Sequence, residues 1–348
     1  MFHLYEKINS GHTYIIAEMS ANHAGSLQTA KEIIWAAKEA GADCLKIQTY
    51  TADTLTLDCD NDYFQIKAGL WKGETFHQLY NRAYTPWEWH VELKAETEKA
   101  GMDFLSTPFD ETAVDFLEEI GIEFYKIASF ELVHIPLIKY IASKRKPIIM
   151  STGMGTLAEI DEAVTAIRQQ GNNEIVLLRC ASAYPAVTDE MNLATMKNMS
   201  ETFGVPVGLS DHSAGSIGAV AAVALGASVI EKHFCLSREI DSADAAFSME
   251  PQEFAAMVQD IRQAERAIGS VKYGPSAQEL RSVAKRRSIF CSKDIKAGEK
   301  ITVDNIKVVR PGNGLHPRYY EMLLNNKVAL QDIKMGTPIA FGMFGDEA

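Results

Sequence analysis

The feature that most constrains this chain is a repeated texture: eight short apolar runs, most followed by a longer amphipathic stretch. The runs are Tyr14–Ala17 (ending at Glu18), Cys44–Gln48, Phe104–Thr107, Phe124–Ile127, Pro147–Met150, Ile175–Arg179, Val205–Leu209 and Val229–Lys232. Runs this short, bounded by turn residues, read as parallel strands buried on both faces. Between them, residues 27–40, 86–100, 111–120, 156–169 and 214–226 carry apolar positions at helical spacing. The first of these stops before Gly41, and Thr156 with Glu159 has the form of a capping box. Eight units over about 265 residues give the arithmetic of an α/β fold, a (β/α)8 TIM barrel. A doubly wound open sheet is the alternative. It carries a glycine-rich turn after its first strand, whereas this turn reads Glu18-Met19-Ser20-Ala21-Asn22-His23.

The length of 348 residues leaves room for more than a barrel. We divide the chain into a catalytic barrel over 1–268, a linker over 269–287 containing Tyr273-Gly274-Pro275-Ser276 and Lys285-Arg286-Arg287, and a β-rich module over 288–348. In that module Ser288–Cys291, Gly298–Ile301 and Val308–Gly312 read as strands and loops. At about 60 residues it is near the lower limit for an independent core, so it is expected to dock on its own barrel or a partner's. The segment 50–85, between the second and third strands, is long for a simple βα connection and is expected to shape the site.

Composition excludes several classes. With 47% hydrophobic residues the chain has ample apolar surface to fold. A net charge of −12 argues against a nucleic-acid-coating surface, though not against a small basic pocket. Five widely spaced cysteines without a CxxC pair point away from a zinc ribbon or disulfide scaffold and towards a reducing cytoplasm. The start lacks the apolar core of a signal peptide, and no apolar run reaches membrane-spanning length.

In a barrel the chemistry sits at the C-terminal ends of the strands. Those ends read Glu18, Lys46, Gln48, Thr107, Lys126, Ser129, Glu131, Ser151, Ser182, Tyr184, Ser210, His212, Glu231 and His233. Charge this dense at buried positions is costly unless it binds something. Either His212 or His233 alone reads as a hydrogen-bonded core residue. As a pair from consecutive strands they suit a divalent metal whose shell is completed by water and substrate. Lys46 and Lys126 are either Schiff-base lysines or, with the hydroxyls of Thr107, Ser129, Ser151 and Ser210, an anion clamp; the hydroxyls favour the clamp. Glu131 is a candidate acid or base, or a carboxylate that only neutralises a lysine. Cys180 reads as core. A binding protein without turnover is the remaining class, and it has no need of both a metal pair and a clamp.

These residues lie within a recognisable series: Ile16-Ala17-Glu18-Met19-Ser20-Ala21-Asn22-His23, Leu45-Lys46-Ile47-Gln48-Thr49-Tyr50, Ser106-Thr107-Pro108-Phe109-Asp110, Tyr125-Lys126-Ile127-Ala128-Ser129, Ser151-Thr152-Gly153-Met154, Gly208-Leu209-Ser210-Asp211-His212 and Glu231-Lys232-His233-Phe234. In these motifs the chain resembles the sialic acid synthase family over nearly its whole length. Arg310-Pro311-Gly312-Asn313-Gly314 resembles that family's antifreeze-like (SAF) domain. Gly69-Leu70-Trp71-Lys72-Gly73, Tyr84–His90 and Ile127-Ala128-Ser129-Phe130-Glu131 resemble its pseudaminic acid branch, in which phosphoenolpyruvate is joined to 2,4-diacetamido-2,4,6-trideoxy-L-altrose.

The resemblance implies roles. Lys46, Thr107, Lys126, Ser129, Ser151 and Ser210 would bind phosphoenolpyruvate, with Ser182 standing where the neuraminate branch has Asn. His212 and His233 would hold Mn2+, with Mg2+ or Co2+ as alternatives. Gln48, Glu131, Tyr184 and Asp244 would face the sugar, in a pocket made apolar by Trp71, Phe130 and Phe247. Glu131 or the metal would guide the water. Arg310 would reach the sugar in a second subunit, making a domain-swapped homodimer. Ala243, where the family often has Gly, is a departure in the loop before Asp244.

Overall fold

The structure, a computed structural model, describes residues 4–8 and 11–347; the outermost ends of the expected domains, 1–3 and 348, lie outside the described residues. The chain separates into two compact units, Met1–Gly269 and Ser270–Ala348.

The first unit is a closed barrel of eight parallel strands in sequence order: β1 Tyr14–Glu18, β2 Cys44–Thr49, β3 Asp103–Pro108, β4 Tyr125–Ile127, β5 Ile148–Ser151, β6 Ile175–Cys180, β7 Val207–Asp211 and β8 Val229–His233. β1 closes on β8, with Glu18 opposite His233. The predicted seventh strand begins two residues early: Pro206 has no N–H to give, and its carbonyl instead accepts from Leu177. Helices Leu27–Glu39, His90–Lys99, Glu111–Glu119, Leu157–Gln169 and Ile217–Ala224 fall inside the predicted stretches. Thr156 and Glu159 form the expected reciprocal cap. Three further helices, Ile135–Ser143, Thr195–Phe203 and Pro251–Ile268, had not been singled out. The long 50–85 segment is not structureless; it contains the short helices Ala52–Leu55 and Phe76–Ala83.

Strand alternation organises this unit. Tyr14, Ile16, Cys44, Leu105, Phe124, Ile149, Val176, Leu178 and Val229 pack together inside the barrel, where Leu4 and Ile8 join them. Ile15, Ala17, Leu45, Ile47, Met150, Leu177, Leu209 and Ile230 belong to a second core with helix residues. Truncating a buried Leu or Ile here to Ala would cost about 2–5 kcal/mol. Gly208 is required inside: a Cβ would stand 2.2 Å from the Val229 carbonyl oxygen and 2.7 Å from Leu178 Cδ2. Because side chains alternate with a period of two, the next inward positions beyond this apolar layer are Glu18, Lys46, Gln48, Thr107, Lys126, Ser151, Cys180, Ser210, Glu231 and His233.

The second unit pairs Ser288–Cys291 with Ile306–Val309, and Lys327–Ala329 with Phe344–Asp346, both antiparallel. Ile289, Ile295, Ile301, Ile306, Leu323, Ile333 and Ile339 form its core. Two expectations are corrected. Gly298–Ile301 is not a strand but contributes one bridge, Lys300 to Val328. The predicted Val308–Gly312 strand lies mostly beyond the observed one, which ends at Val309 before Pro311. The expected linker contains the short helix Leu280–Val283. Among the described residues no helix is long and apolar enough to cross a membrane.

Candidate active site

Two lysines and two glutamates meet at the C-terminal mouth. Lys46 Nζ lies 3.0 Å from Glu18 Oε2 and 3.6 Å from Glu231 Oε1; Lys126 Nζ lies 3.8 Å from the same Glu231 oxygen. Lys126 donates to Ser151 Oγ at 2.7 Å and to the Ile127 carbonyl at 3.0 Å, and Lys46 to Thr107 Oγ1 at 3.5 Å. Ser210 Oγ donates to Glu231 at 3.0 Å, and Gln48 reaches Glu18 at 2.8 Å and Ser20 at 2.9 Å. All four charged groups are buried.

Their titration follows from this packing. Burial alone would lower Lys46, but Glu18 and Glu231 outweigh it and hold the ammonium above its ordinary range. Burial prevails at Lys126, which sits low despite Glu231. Burial raises Glu18 against the pull of Lys46, whereas at Glu231 the two lysines overcome burial and keep the carboxylate low. The four charges cancel as a set, which lets them persist away from water.

Beside the cluster, Ser129 Oγ accepts from Gly153 N at 3.1 Å. A Cβ on Gly153 would stand 2.1 Å from Ser182 Oγ and 2.7 Å from Ser129 Oγ. Ser129, Gly153 and Ser182 therefore make a tight cradle of small groups, and Ser151, two residues before Gly153, ties its edge to Lys126. A cavity of about 370 Å3 adjoins it, lined by Met154, Gly155, Arg179, Cys180, Ser182 and Glu190 among others.

The two histidines converge, with ring centroids 5.3 Å apart. His212 Nδ1 lies 3.2 Å from the Ala181 carbonyl, a contact that requires a proton on Nδ1 and makes Nε2 the nitrogen that faces away from the backbone bond. Burial lowers His212, but Cys180 Sγ, 3.7 Å from Nδ1, and the carbonyl outweigh it and hold the imidazole above its ordinary range. Cys180 was expected to be plain core. It is buried, yet it belongs to this site: burial raises its thiol, and His212 reverses that to about 7. His233 is held neutral, well below its usual range, chiefly by burial. Its Nδ1 has no hydrogen-bond partner and is 4.0 Å from Asp244 Oδ2.

Tyr184 packs against His212 at 4.5 Å and Phe247 at 5.0 Å, with Trp71 6.3 Å away. Trp71 Nε1 donates to the Ala243 carbonyl at 2.9 Å, tying the long loop to the segment before Asp244. That bond uses backbone, so alanine at 243 serves it. Phe130 does not join the aromatic wall; it is 59% exposed. Glu131, one residue on, has an orphaned Oε2, and burial raises its carboxyl to about 7 against the opposing pull of Lys126. Arg310 belongs to the second unit and is exposed just past the strand Ile306–Val309.

Glu18 and Glu231 had been read as strand ends without a role. The signal for them was charge balance, since two buried lysines need counter-charges.

Fold and site together define a barrel enzyme whose mouth sets a charge-balanced cluster of two lysines and two glutamates beside two converging imidazoles. The NeuB family pattern matches residues 33–273 and the SAF domain pattern residues 286–345, and the chain belongs to the NeuB family. It is 46% identical over 331 residues to the pseudaminic acid synthase of Campylobacter jejuni serotype O:2, covering 95% of this chain and 96% of that one. It is 37% identical over 332 residues to the N,N'-diacetyllegionaminic acid synthase of Legionella pneumophila, covering 94% and 93%. The crystal structure of an N-acetylneuraminic acid synthetase from Leptospira borgpetersenii, in complex with citrate, superposes with a TM-score of 0.70 at 30% identity, covering 78% of this chain and 90% of that one.

Proposed function

We propose that this enzyme condenses phosphoenolpyruvate with 2,4-diacetamido-2,4,6-trideoxy-L-altrose and water, giving pseudaminic acid and phosphate in the cytoplasm. The observation that carries the reaction type is the buried lysine–glutamate cluster beside the serine–glycine cradle. Similarity to a pseudaminic acid synthase, higher than to the legionaminic enzyme, supports the sugar. The sugars of the legionaminic and N-acetylneuraminic enzymes are the alternatives.

Lys46 and Lys126 hold the substrate's anionic groups, with Thr107 and Ser210 supplying further hydroxyl contacts. Ser129, Ser151, Ser182 and the Gly153 N–H enclose the phosphate. Gln48, Tyr184 and Asp244 orient the sugar, and Trp71, Tyr184 and Phe247 give it an apolar wall. The C2=C3 π pair of phosphoenolpyruvate bonds C3 to the aldehyde carbon, whose C=O π pair moves to oxygen and takes up a proton; water adds at C2, and the resulting tetrahedral centre loses its hydroxyl proton and expels phosphate by C–O cleavage to leave the ketone. Holding both reactants in one geometry accounts for much of the acceleration. Glu131 takes the proton of the attacking water at Oε2, an assignment its orphaned oxygen and raised carboxyl support.

A divalent cation fits His212 and His233: His233 is held neutral with Nδ1 buried and unpartnered, and His212, whose Nδ1 faces the Ala181 carbonyl, would coordinate through Nε2 on giving up its proton there. Among the described residues no group of three His, Cys, Asp or Glu could hold a metal, so water and substrate oxygens would complete the shell. When bound, such an ion supplies Lewis-acid polarisation of the aldehyde oxygen. Arg310 is proposed to contact the sugar in a second subunit of a domain-swapped homodimer.

The test is phosphate release from phosphoenolpyruvate with the altrose, N-acetylmannosamine or the legionaminic precursor, with and without chelator. Metal-dependent release with the altrose alone is expected; preference for another sugar would overturn the branch. The lowered Lys126 is the one observation favouring a Schiff-base aldolase. Borohydride trapping with pyruvate would support that reading, and its absence alongside chelator-sensitive turnover would end it.

A further inference from the structure

Strand alternation turns Asp211 and Lys232 away from the barrel interior, at positions where parallel strands ordinarily carry Val, Ile or Leu. The two are register partners on β7 and β8, and each is 1% exposed. Lys232 Nζ lies 2.7 Å from Asp211 Oδ2 and also donates to the carbonyls of Ser213, at 2.5 Å, and Gly215, at 3.2 Å. An ammonium has three donors, and all three are used. The other Asp211 oxygen accepts from Ser213 N at 2.8 Å and Ser213 Oγ at 2.6 Å.

Each member adjoins one of the histidines, Asp211 before His212 and Lys232 before His233. The bracket continues beyond the pair. Ser213 bridges to Ala186, whose N–H donates to the His212 carbonyl at 3.0 Å, two residues past Tyr184. His212 is therefore held on both sides in the chain, and the β8 end is tied to it through one ammonium. A buried ion pair is weak grounds for stability, because apolar residues of similar volume often serve as well. Its use here is geometric. Resting on the two-histidine reading above, we propose that Asp211 and Lys232 are positioning residues that fix the separation of His212 and His233 for a divalent ion.

The experiment measures Mn2+ binding to metal-stripped full-length protein by electron paramagnetic resonance, alongside KM for phosphoenolpyruvate. Lys232→Met and Asp211→Asn are expected to weaken Mn2+ binding about tenfold or more, the usual scale for supports behind metal ligands, with KM for phosphoenolpyruvate within about twofold. If either single variant fails to fold, Asp211→Leu/Lys232→Met removes both charges together and carries the same expectation. Wild-type Mn2+ affinity in any folded variant, or equal losses of Mn2+ and phosphoenolpyruvate affinity, would overturn the proposal. Absence of Mn2+ binding by the wild type, or its persistence in His212→Ala, would instead overturn the two-histidine reading.

Discussion

The barrel carries dense charge at both ends, and the two ends treat it differently. At the N-terminal end a cavity of about 450 Å3, larger than the one at the mouth, is lined by Lys7, His12, Lys38, Asp43, Asp103 and Arg262 among others. Lys7, Lys38 and Arg262 there are each already bonded, and Glu265 takes both Arg262 and His12. Lys7 meets Asp103 at 2.5 Å, Arg262 meets Glu265 at 2.8 Å and the Thr13 carbonyl at 2.9 Å, and Lys38 donates to the Gly101 carbonyl at 3.2 Å. At the mouth, two lysines share Glu231, and Glu231 Oε2, Glu131 Oε2 and His233 Nδ1 are left without hydrogen-bond partners. Cavity size would choose the wrong end. Unsatisfied, titration-shifted groups choose the mouth, because chemistry needs atoms that the fold has not already used.

The comparison breaks most visibly at Glu131. Glu131→Gln is expected to lower kcat by about 10²–10⁴-fold. Turnover of the wild type should rise with pH through about 7 as the carboxyl ionises, and the variant should lose that limb. Stability moves the other way. A folded carboxyl at about 7, above its ordinary 4.5, means that native stability falls as pH rises across that interval. Glu131→Gln should therefore melt higher than wild type at pH 8 but not at pH 4.5.

Lys126→Met comes next, with about 10²–10³-fold lost from kcat and about 3–5 kcal/mol from stability, because Glu231 loses one of its two cations; kinetics and denaturant unfolding read the two separately. Gly153→Ala fills the cradle and should raise KM for phosphoenolpyruvate about tenfold while leaving the metal requirement unchanged. At the other end of the barrel, Arg262→Met should leave kcat/KM within about twofold and cost only about 1 kcal/mol. A large kinetic effect there would undo the distinction between the ends.

How much of this was legible in the sequence depends on which physical signal each residue gave. The strands announced themselves as short apolar runs, and the period of two then placed Lys46, Thr107, Lys126, Ser151, Ser210 and His233 on one inner face. Carrying the same period further assigns Cys180 inward and Asp211 and Lys232 outward, but spacing alone does not say whom they meet. The cysteine's neighbour comes from a different strand. The outward ion pair depends on register between β7 and β8. Phe130 was misplaced because it falls in the short 3-10 turn Ser129–Glu131, where strand alternation no longer applies. The helix Ile135–Ser143 was overlooked although Leu137, Ile138, Ile141 and Ala142 recur at helical spacing; Pro136 stands in its first turn, where a helix tolerates proline.

Burying the lysine–glutamate cluster also separates two effects of ionic strength. Charges enclosed in protein are screened far less than charges in water, so the grip on a bound substrate should hardly change between dilute buffer and physiological salt. The approach obeys the opposite rule. A chain of net charge −12 repels an anionic substrate over distances comparable to the Debye length. Added salt should therefore speed capture while leaving release almost untouched, the reverse of what electrostatic steering would give.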